Sequence, residues 1–296
     1  MTTKNTKRQG SIRPPKNNKL LLGVLAITVV GITGGAVWVA SSEDPGSTSS
    51  VGVLGGDYHA LRVLPDGKLL YGEHAGVSIS EDGGRTWSES NGIGDAMAIS
   101  TSPVVPEKIV MAGHDVFNVS EDGGETWRKV SFGNLPGTDI HGFTVAPSKP
   151  HVWYANIAGR GLYRSENAQD WQFLSSGTAS AMSLAAGPGE TPRLYALTMN
   201  QGLIVSDDGV RWMTASEAPP AAAAGLDVHP VSGNVYIAGP NGVARSENKG
   251  ATWQDLSFPE GARLVTADPQ DEQQLFAVGE SGRVQRSTDG GSTWIK

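Results

Sequence analysis

Short apolar runs alternate with polar turns along most of the chain. Around residue 70, apolar runs at 60–64, 68–72 and 77–80 are separated by Pro-Asp-Gly and His-Ala-Gly. Runs of this length, bounded by Pro, Gly and Asp, are typical of antiparallel strands joined by tight turns. The pattern therefore predicts three consecutive strands, with a fourth that begins at the tryptophan after the next turn.

That next turn is a repeated motif, which we call the box. Its clear copies read Ser-x-Asp-Gly-Gly-x-Thr-Trp at 80–87, 120–127 and 287–294, and three weaker copies lie between the second and the third. The copies end in tryptophans 40 to 44 residues apart, at Trp87, Trp127, Trp171, Trp212, Trp253 and Trp294. Four strands repeated at this period predict an all-β fold, a six-bladed β-propeller of four-stranded antiparallel blades over residues 51–296.

The box residues are predicted to be structural. An Asp side chain accepts hydrogen bonds from backbone amides a few residues on, and glycine allows the positive φ of a tight turn. Tryptophan offers a large apolar face to a neighbouring blade. The box carboxylates are therefore not expected to be catalytic acids. The residues given this role are Ser80, Asp82, Gly84, Trp87, Ser120, Asp122, Gly124, Trp127, Trp171, Asp208, Trp212, Trp253, Asp289, Gly291 and Trp294.

The first 50 residues predict a signal anchor. Residues 1–19 form a basic tail without an acidic residue, and 20–40 carry no charge at all. The second stretch is long enough to cross a bilayer as a transmembrane helix, and the positive-inside rule places the tail in the cytoplasm and the propeller outside. A cleaved signal peptide is the alternative. Residues 41–50 form a linker, and 51–54 are expected to pair with the last blade and close the ring.

Charge and cysteine content limit the classes of partner and metal site that the chain can have. The chain has a formal net charge of −7, and its tail carries six Lys or Arg, which leaves −13 for the extracytoplasmic part. An acidic surface of this size argues against nucleic acid as a partner. The chain has no cysteine, which excludes disulfides and thiolate metal sites. The expected partners are the membrane, through the N-terminal helix, and an extracytoplasmic ligand that is a glycan, a protein or a metal.

The boxes resemble the Asp-box, or bacterial neuraminidase repeat, of sialidases, sortilin-type receptors, xyloglucanases and photosystem II assembly factors. The resemblance covers 51–296 and implies a propeller, and it makes a sialidase-like glycoside hydrolase one expected function. Sialidases present three arginines and a tyrosine nucleophile, and the first arginine lies in an Arg-Ile-Pro motif. Here Arg62-Val63-Leu64-Pro65 is one residue longer, and no other arginine lies in a matching motif. Four tyrosines fall mid-way along predicted second strands, where packing is expected: Tyr71, Tyr154, Tyr195 and Tyr236.

A ring of residues at one mouth of the channel is the predicted binding site. Each predicted first strand ends in a proline, and the first strands of a propeller line its channel. The residues six positions before these prolines should share the mouth opposite the boxes: His59, Met97, His141, Met182, Ala224 and Arg263. His74 and His114 lie in turns that reach the same face. The first hypothesis is a non-catalytic protein that binds a ligand or a protein partner at this mouth.

Two other functions are open at the same face. His59, His74, His114 and His141, together with the two methionines, suit a soft metal such as copper. The alternative is that the methionines pack the neck of the channel and the histidines bond local backbone groups. A glycosidase would need two converging carboxylates, and the sequence assigns no catalytic residue. The acids expected near this face are Asp57, Glu73, Asp95, Asp115, Asp139 and Glu280. His151 and His229 fall near the opposite face and are interpreted as surface residues.

Overall fold

Six antiparallel blades follow one another around a central channel. They are described by a computed structural model over residues 50–215 and 223–296. The strands of each blade follow chain order from the channel outwards, and the first strands of successive blades, including the last and the first, lie side by side. The predicted all-β, six-bladed fold is confirmed. Within the described ranges no helix has the length and apolar character needed to cross a membrane, and the predicted tail, anchor and linker to residue 49 lie outside them.

Three strands are common to all six blades. The first strands, which line the channel, are Ala60–Val63, Ala98–Ser102, Ile140–Ala146, Ala181–Ala186, Gly225–Val228 and Ala262–Ala267. The second strands are Leu69–Glu73, Val105–Gly113, Lys149–Ile157, Leu194–Thr198, Val235–Gly239 and Leu275–Gly279. The third strands are Gly76–Ser80, Val116–Ser120, Gly161–Ser165, Gly202–Ser206, Gly242–Ser246 and Val284–Ser287.

The fourth, outermost strand is short. In the second to fifth blades it pairs with the third strand and spans Arg128–Lys129, Gln172–Ser175, Met213–Thr214 and Gln254–Asp255. In the last blade a single bridge between Arg286 and Ile295 takes its place.

The segment ahead of the first blade differs from its prediction. Its strand, Ser50–Val51, pairs with Thr86–Trp87 of the first blade rather than with the last blade. The last blade is reached by a backbone hydrogen bond from Leu54 N to Gly282 O, at 2.8 Å. The predicted strand partner is therefore wrong, and the ring is closed by this hydrogen bond together with side-chain packing between the first and last blades.

The hydrophobic core lies between the blades. Each buried cluster combines two consecutive blades, and one cluster joins Leu61 and Trp87 of the first blade to Phe276 and Val284 of the last. The second strands are covered by a neighbour on both faces, so their four tyrosines are buried, as predicted, at 6% exposure or less. The box tryptophans share one position, in the cluster between their own blade and the preceding one: Trp87, Trp127, Trp171, Trp212, Trp253 and Trp294.

Each clear box forms the same hydrogen-bonded turn between the third and fourth strands. Ser120 Oγ donates to Asp122 Oδ1 at 2.7 Å and accepts from Gly124 N at 2.8 Å. The amide of Thr126 donates to Asp122 Oδ1 at 2.9 Å, and its hydroxyl donates to the other carboxylate oxygen at 2.5 Å. Gly124 has a φ of 96°, a conformation that favours glycine. The first and last boxes repeat these bonds.

The turns predict an acid-sensitive fold. Hydrogen bonds from the hydroxyl and amide of Thr126 lower the pKa of Asp122 from 3.8 to about 2, and those from Thr293 do the same for Asp289. A carboxyl with a lowered pKa in the folded state stabilises the fold above its unfolded pKa, and this contribution is lost as the pH falls through the folded pKa. We expect the urea midpoint to fall between pH 4 and pH 2, and to fall less steeply in Asp122→Asn. Equal slopes would contradict this role of the carboxylate.

One histidine corrects the sequence interpretation. His229 is 3% exposed and lies between the fifth and sixth blades, so it is not a surface residue. Its Nε2 lies 3.1 Å from the carbonyl oxygen of Asp268, and its Nδ1 lies 2.8 Å from Glu272 Oε1. His229 lies in the turn after the strand Gly225–Val228, and the next blade covers this turn. The residue types in a turn do not show whether another blade covers it. His151 is exposed, as predicted.

Candidate functional site

The predicted mouth of the channel contains a cavity of about 150 Å³. Five of the six ring residues line it: His59, Met97, His141, Met182 and Ala224. The sixth, Arg263, is not among the lining residues, and its guanidinium lies 3.5 Å from Glu280 Oε1. The alignment of the repeats therefore placed five residues at the mouth. The long side chain of Arg263 puts its guanidinium beside Glu280 instead.

One side chain of an ion pair lines this cavity. Arg62, from the first blade, crosses the channel to Asp227 of the fifth blade, which is almost fully buried. Asp227 also accepts hydrogen bonds from Thr266 Oγ1 at 3.1 Å and from Ala267 N at 3.0 Å. Arg62 lines both the mouth cavity and a smaller one of about 40 Å³ beyond it. A ligand that enters at the mouth therefore meets a guanidinium that is already paired with a carboxylate.

The four predicted histidines lie in two pairs rather than in one ring. His59 Nε2 is 3.2 Å from His74 Nδ1. In the neighbouring pair, His114 Nε2 is 2.9 Å from His141 Nε2. Each pair joins a residue at the start of a first strand to one in the turn between second and third strands, as the repeat alignment predicted.

Asp139 completes a triad with the second pair. Its Oδ1 lies 3.1 Å from His114 Nε2 and 3.0 Å from His141 Nε2. Together with the 2.9 Å between the two nitrogens, these distances make a nearly equilateral triangle of possible ligand atoms. A backbone bridge between His114 and Asp139 holds two of its corners in register.

Asp95 lies between the two pairs. It is 9% exposed, and its Oδ2 is 2.5 Å from His114 Nδ1. Its Oδ1 is fully buried, accepts no hydrogen bond, and points to His59 Nε2 at 3.7 Å. The sequence placed Asp95 near this face only as a possible glycosidase acid. Burial between two blades gives it a different role, as a carboxylate shared by two histidine pairs.

Two glycines make room for Asp95. A side chain at Gly113, just before His114, would overlap the carbonyl oxygen of Asp95. A Cβ at Gly72, in the second strand of the first blade, would lie 2.5 Å from the carbonyl oxygen of Ala96. The backbone that carries Asp95 therefore rests directly on two second strands, and this contact sets its distance to the histidines.

Gly113→Ala is expected to disturb this site. The added methyl group must displace backbone rather than a flexible side chain, so we expect a loss of stability of about 1–3 kcal/mol and a shift of Asp95 away from His114. The measurement is thermal unfolding together with the NMR signals of the His114 ring. Gly123→Ala is the control for space, because nothing lies within 4 Å of its Cβ position, although its φ of 73° adds strain of its own. An unchanged His114 environment in Gly113→Ala would contradict the argument.

Burial affects the charge of one of these histidines. Desolvation is the largest effect on His59 and lowers its pKa below 6.5, although Asp95 acts in the opposite direction. His59 is therefore neutral at pH 7. A neutral imidazole keeps a lone pair, which is the form that binds a metal ion.

Within residues 50–215 and 223–296, the arginines and tyrosines expected of a sialidase-like site do not converge at the mouth. Arg62 is held by Asp227. Four other arginines, each on a different blade, are paired with an acidic residue of their own blade: Arg164 with Glu166, Arg193 with Asp207, Arg245 with Glu247, and Arg263 with Glu280. Burial raises the pKa of Tyr195 and Tyr236 to about 12, the opposite of what an activated nucleophile requires.

Solved structures of other proteins are similar to this propeller in fold. The GH74 xyloglucanase from Xanthomonas campestris has a TM-score of 0.58 and 18% identity, over 84% of this chain and 46% of that one. YCF48 bound to D1 peptide has a TM-score of 0.53 and 16% identity, over 86% and 84%. A gluconolactonase from Xanthomonas campestris has a TM-score of 0.62 and 13% identity, over 81% and 89%.

These similarities define the fold alone, because every identity is below 25%. The chain spans less than half the length of the GH74 xyloglucanase. No protein-family model and no curated protein matches the sequence. Arguments about function therefore depend on the residues at the mouth.

Proposed function

We propose that this protein is a membrane-anchored, extracytoplasmic Asp-box propeller that binds a transition-metal ion at its channel mouth without catalysis. The triangle of His114 Nε2, His141 Nε2 and Asp139 Oδ1, with sides of 2.9, 3.0 and 3.1 Å, is the observation that carries the proposal. The propeller acts as the rigid support, because each corner belongs to a strand end or to a bridged turn.

A bound metal ion accounts for the short distances in the triangle better than hydrogen bonds among its three atoms do. If Asp95 accepts the Nδ1–H of a neutral His114, then His114 Nε2 has no hydrogen and faces the Asp139 oxygen at 3.1 Å. A single N–H on His141 cannot satisfy all three sides. An ion about 2.0–2.1 Å from each atom binds all three lone pairs, with ligand atoms about 3.3 Å apart in a tetrahedral site.

The ligand set favours Zn(II) or Cu(II). Two imidazoles and one carboxylate suit borderline ions, whereas Cu(I) prefers sulfur. Met97 and Met182 line the cavity, but the triangle itself is formed by two imidazoles and one carboxylate. Three protein ligands leave a fourth position for water or for an incoming ligand. An extracytoplasmic location would expose this position to the cell envelope.

Calorimetric titration of the full-length, chelator-treated chain in detergent tests the proposal. We expect stoichiometric binding of Zn(II) or Cu(II) at micromolar concentration or below, and no comparable binding of Mg(II), which prefers oxygen ligands and keeps its water. The absence of binding of both ions at micromolar concentration would reject the metal function.

A further inference from the structure

We propose that the mouth holds a second metal ion, bound by His59, His74 and Asp95, and that Asp95 couples it to the ion of the His114 triad. The inference rests on the proposed function for the triad and extends it to a two-ion centre. It assigns a ligand role to the second histidine pair and to the buried carboxylate between the pairs.

The second set of atoms also has spacings suited to a metal. His59 Nε2 lies 3.2 Å from His74 Nδ1 and 3.7 Å from Asp95 Oδ1. The three residues each offer one possible ligand atom within 4.8 Å of the other two. These distances bracket the separation of about 3.3 Å between ligands of a tetrahedral ion. The exposed carboxylate of Asp57, 3.1 Å from His74 Nδ1, lies close enough to add a ligand.

The buried oxygen of Asp95 is the second, independent observation. A buried carboxylate oxygen without a hydrogen bond loses its solvation and gains nothing in return. Asp95 Oδ1 is in this position, and the nearest candidate, His59 Nε2, is at 3.7 Å, beyond hydrogen-bond distance. A cation between the two atoms would satisfy both.

The two oxygens of Asp95 link the two sites. Oδ2 holds Nδ1 of His114, which fixes the tautomer that leaves Nε2 free for the first ion. An ion on Oδ1 withdraws electron density from the carboxylate, and this weakens its bond to His114. Occupation of the second site should therefore lower the affinity of the first site.

The test is the number of zinc ions bound per full-length chain, measured by equilibrium dialysis and elemental analysis. We expect two ions in the wild type and one in His59→Ala/His74→Ala. His74→Ala is a milder second variant, because its side chain is 55% exposed, and it should weaken only the second ion. Asp95→Asn should weaken the second ion and also lower the affinity of the triad about 10–100-fold, as losses of outer-shell partners do.

The outcomes separate the two proposals. One ion in the wild type that survives His59→Ala/His74→Ala overturns the second site and leaves the proposed function standing. No ion in the wild type overturns both. If the wild type binds two ions but Asp95→Asn leaves the affinity of the triad unchanged, the coupling through Asp95 is overturned.

Discussion

His114→Ala/His141→Ala is expected to lose one zinc equivalent, with the dissociation constant of the triad raised more than about 100-fold. The loss of an outer-shell partner alone costs about 10–100-fold in metal affinity, and this variant removes two of three direct ligands. Both side chains are partly exposed, at 42% and 21%, so their truncation leaves no large cavity in the core.

The matched control is His151→Ala. This histidine is exposed and lines a groove between the second and third blades, away from the mouth. It should leave both the stoichiometry and the affinity unchanged. Equal losses in the two variants would mean that zinc binds surface histidines without selection.

Trp87→Ala is expected to lower the free energy of unfolding by about 3–5 kcal/mol, the usual cost of truncating a buried aromatic side chain. Trp87 is 2% exposed and packs edge-on against Tyr71 with ring centroids 5.8 Å apart. It also belongs to the cluster that joins the first blade to Phe276 and Val284 of the last. The void left by the missing indole would therefore lie between the first and last blades, where the ring closes.

Urea unfolding measures this change, with Phe173→Ala as the control. Phe173 lies on an outer strand and is 56% exposed, so its loss should stay within about 0.5 kcal/mol. A Trp87 variant as stable as the control would show that the box tryptophan does not hold the blades together.

The repeat pattern was sufficient to predict the fold. Turn residues, apolar runs and a fixed period specify blades, and the position of a residue within a repeat specifies the end of the channel that it reaches. For this reason His59 and His141 were placed at the mouth, and His74 and His114 beside them, from spacing alone. Ring closure was different, because the partner of Ser50–Val51 depends on packing between the two ends of the repeat.

The carboxylates of the site were not predictable in their roles. Asp95 and Asp139 lie in loops between blades, where sequence distance gives no information about which histidine they approach. The position of Asp95 depends on close backbone contact at Gly72 and Gly113, and this contact appears only in three dimensions. The sequence interpretation of His229 fails for a similar reason. The residue lies in a polar turn and looks exposed, but the next blade covers it.

The most direct measurement is the anomalous diffraction of a zinc-soaked crystal of the protein at the zinc absorption edge. Metal binding at the mouth predicts a peak about 2.0–2.2 Å from His114 Nε2, His141 Nε2 and Asp139 Oδ1. At saturating zinc, a map with no peak inside that triangle, and with the three side chains still in hydrogen-bond contact, would contradict the central claim.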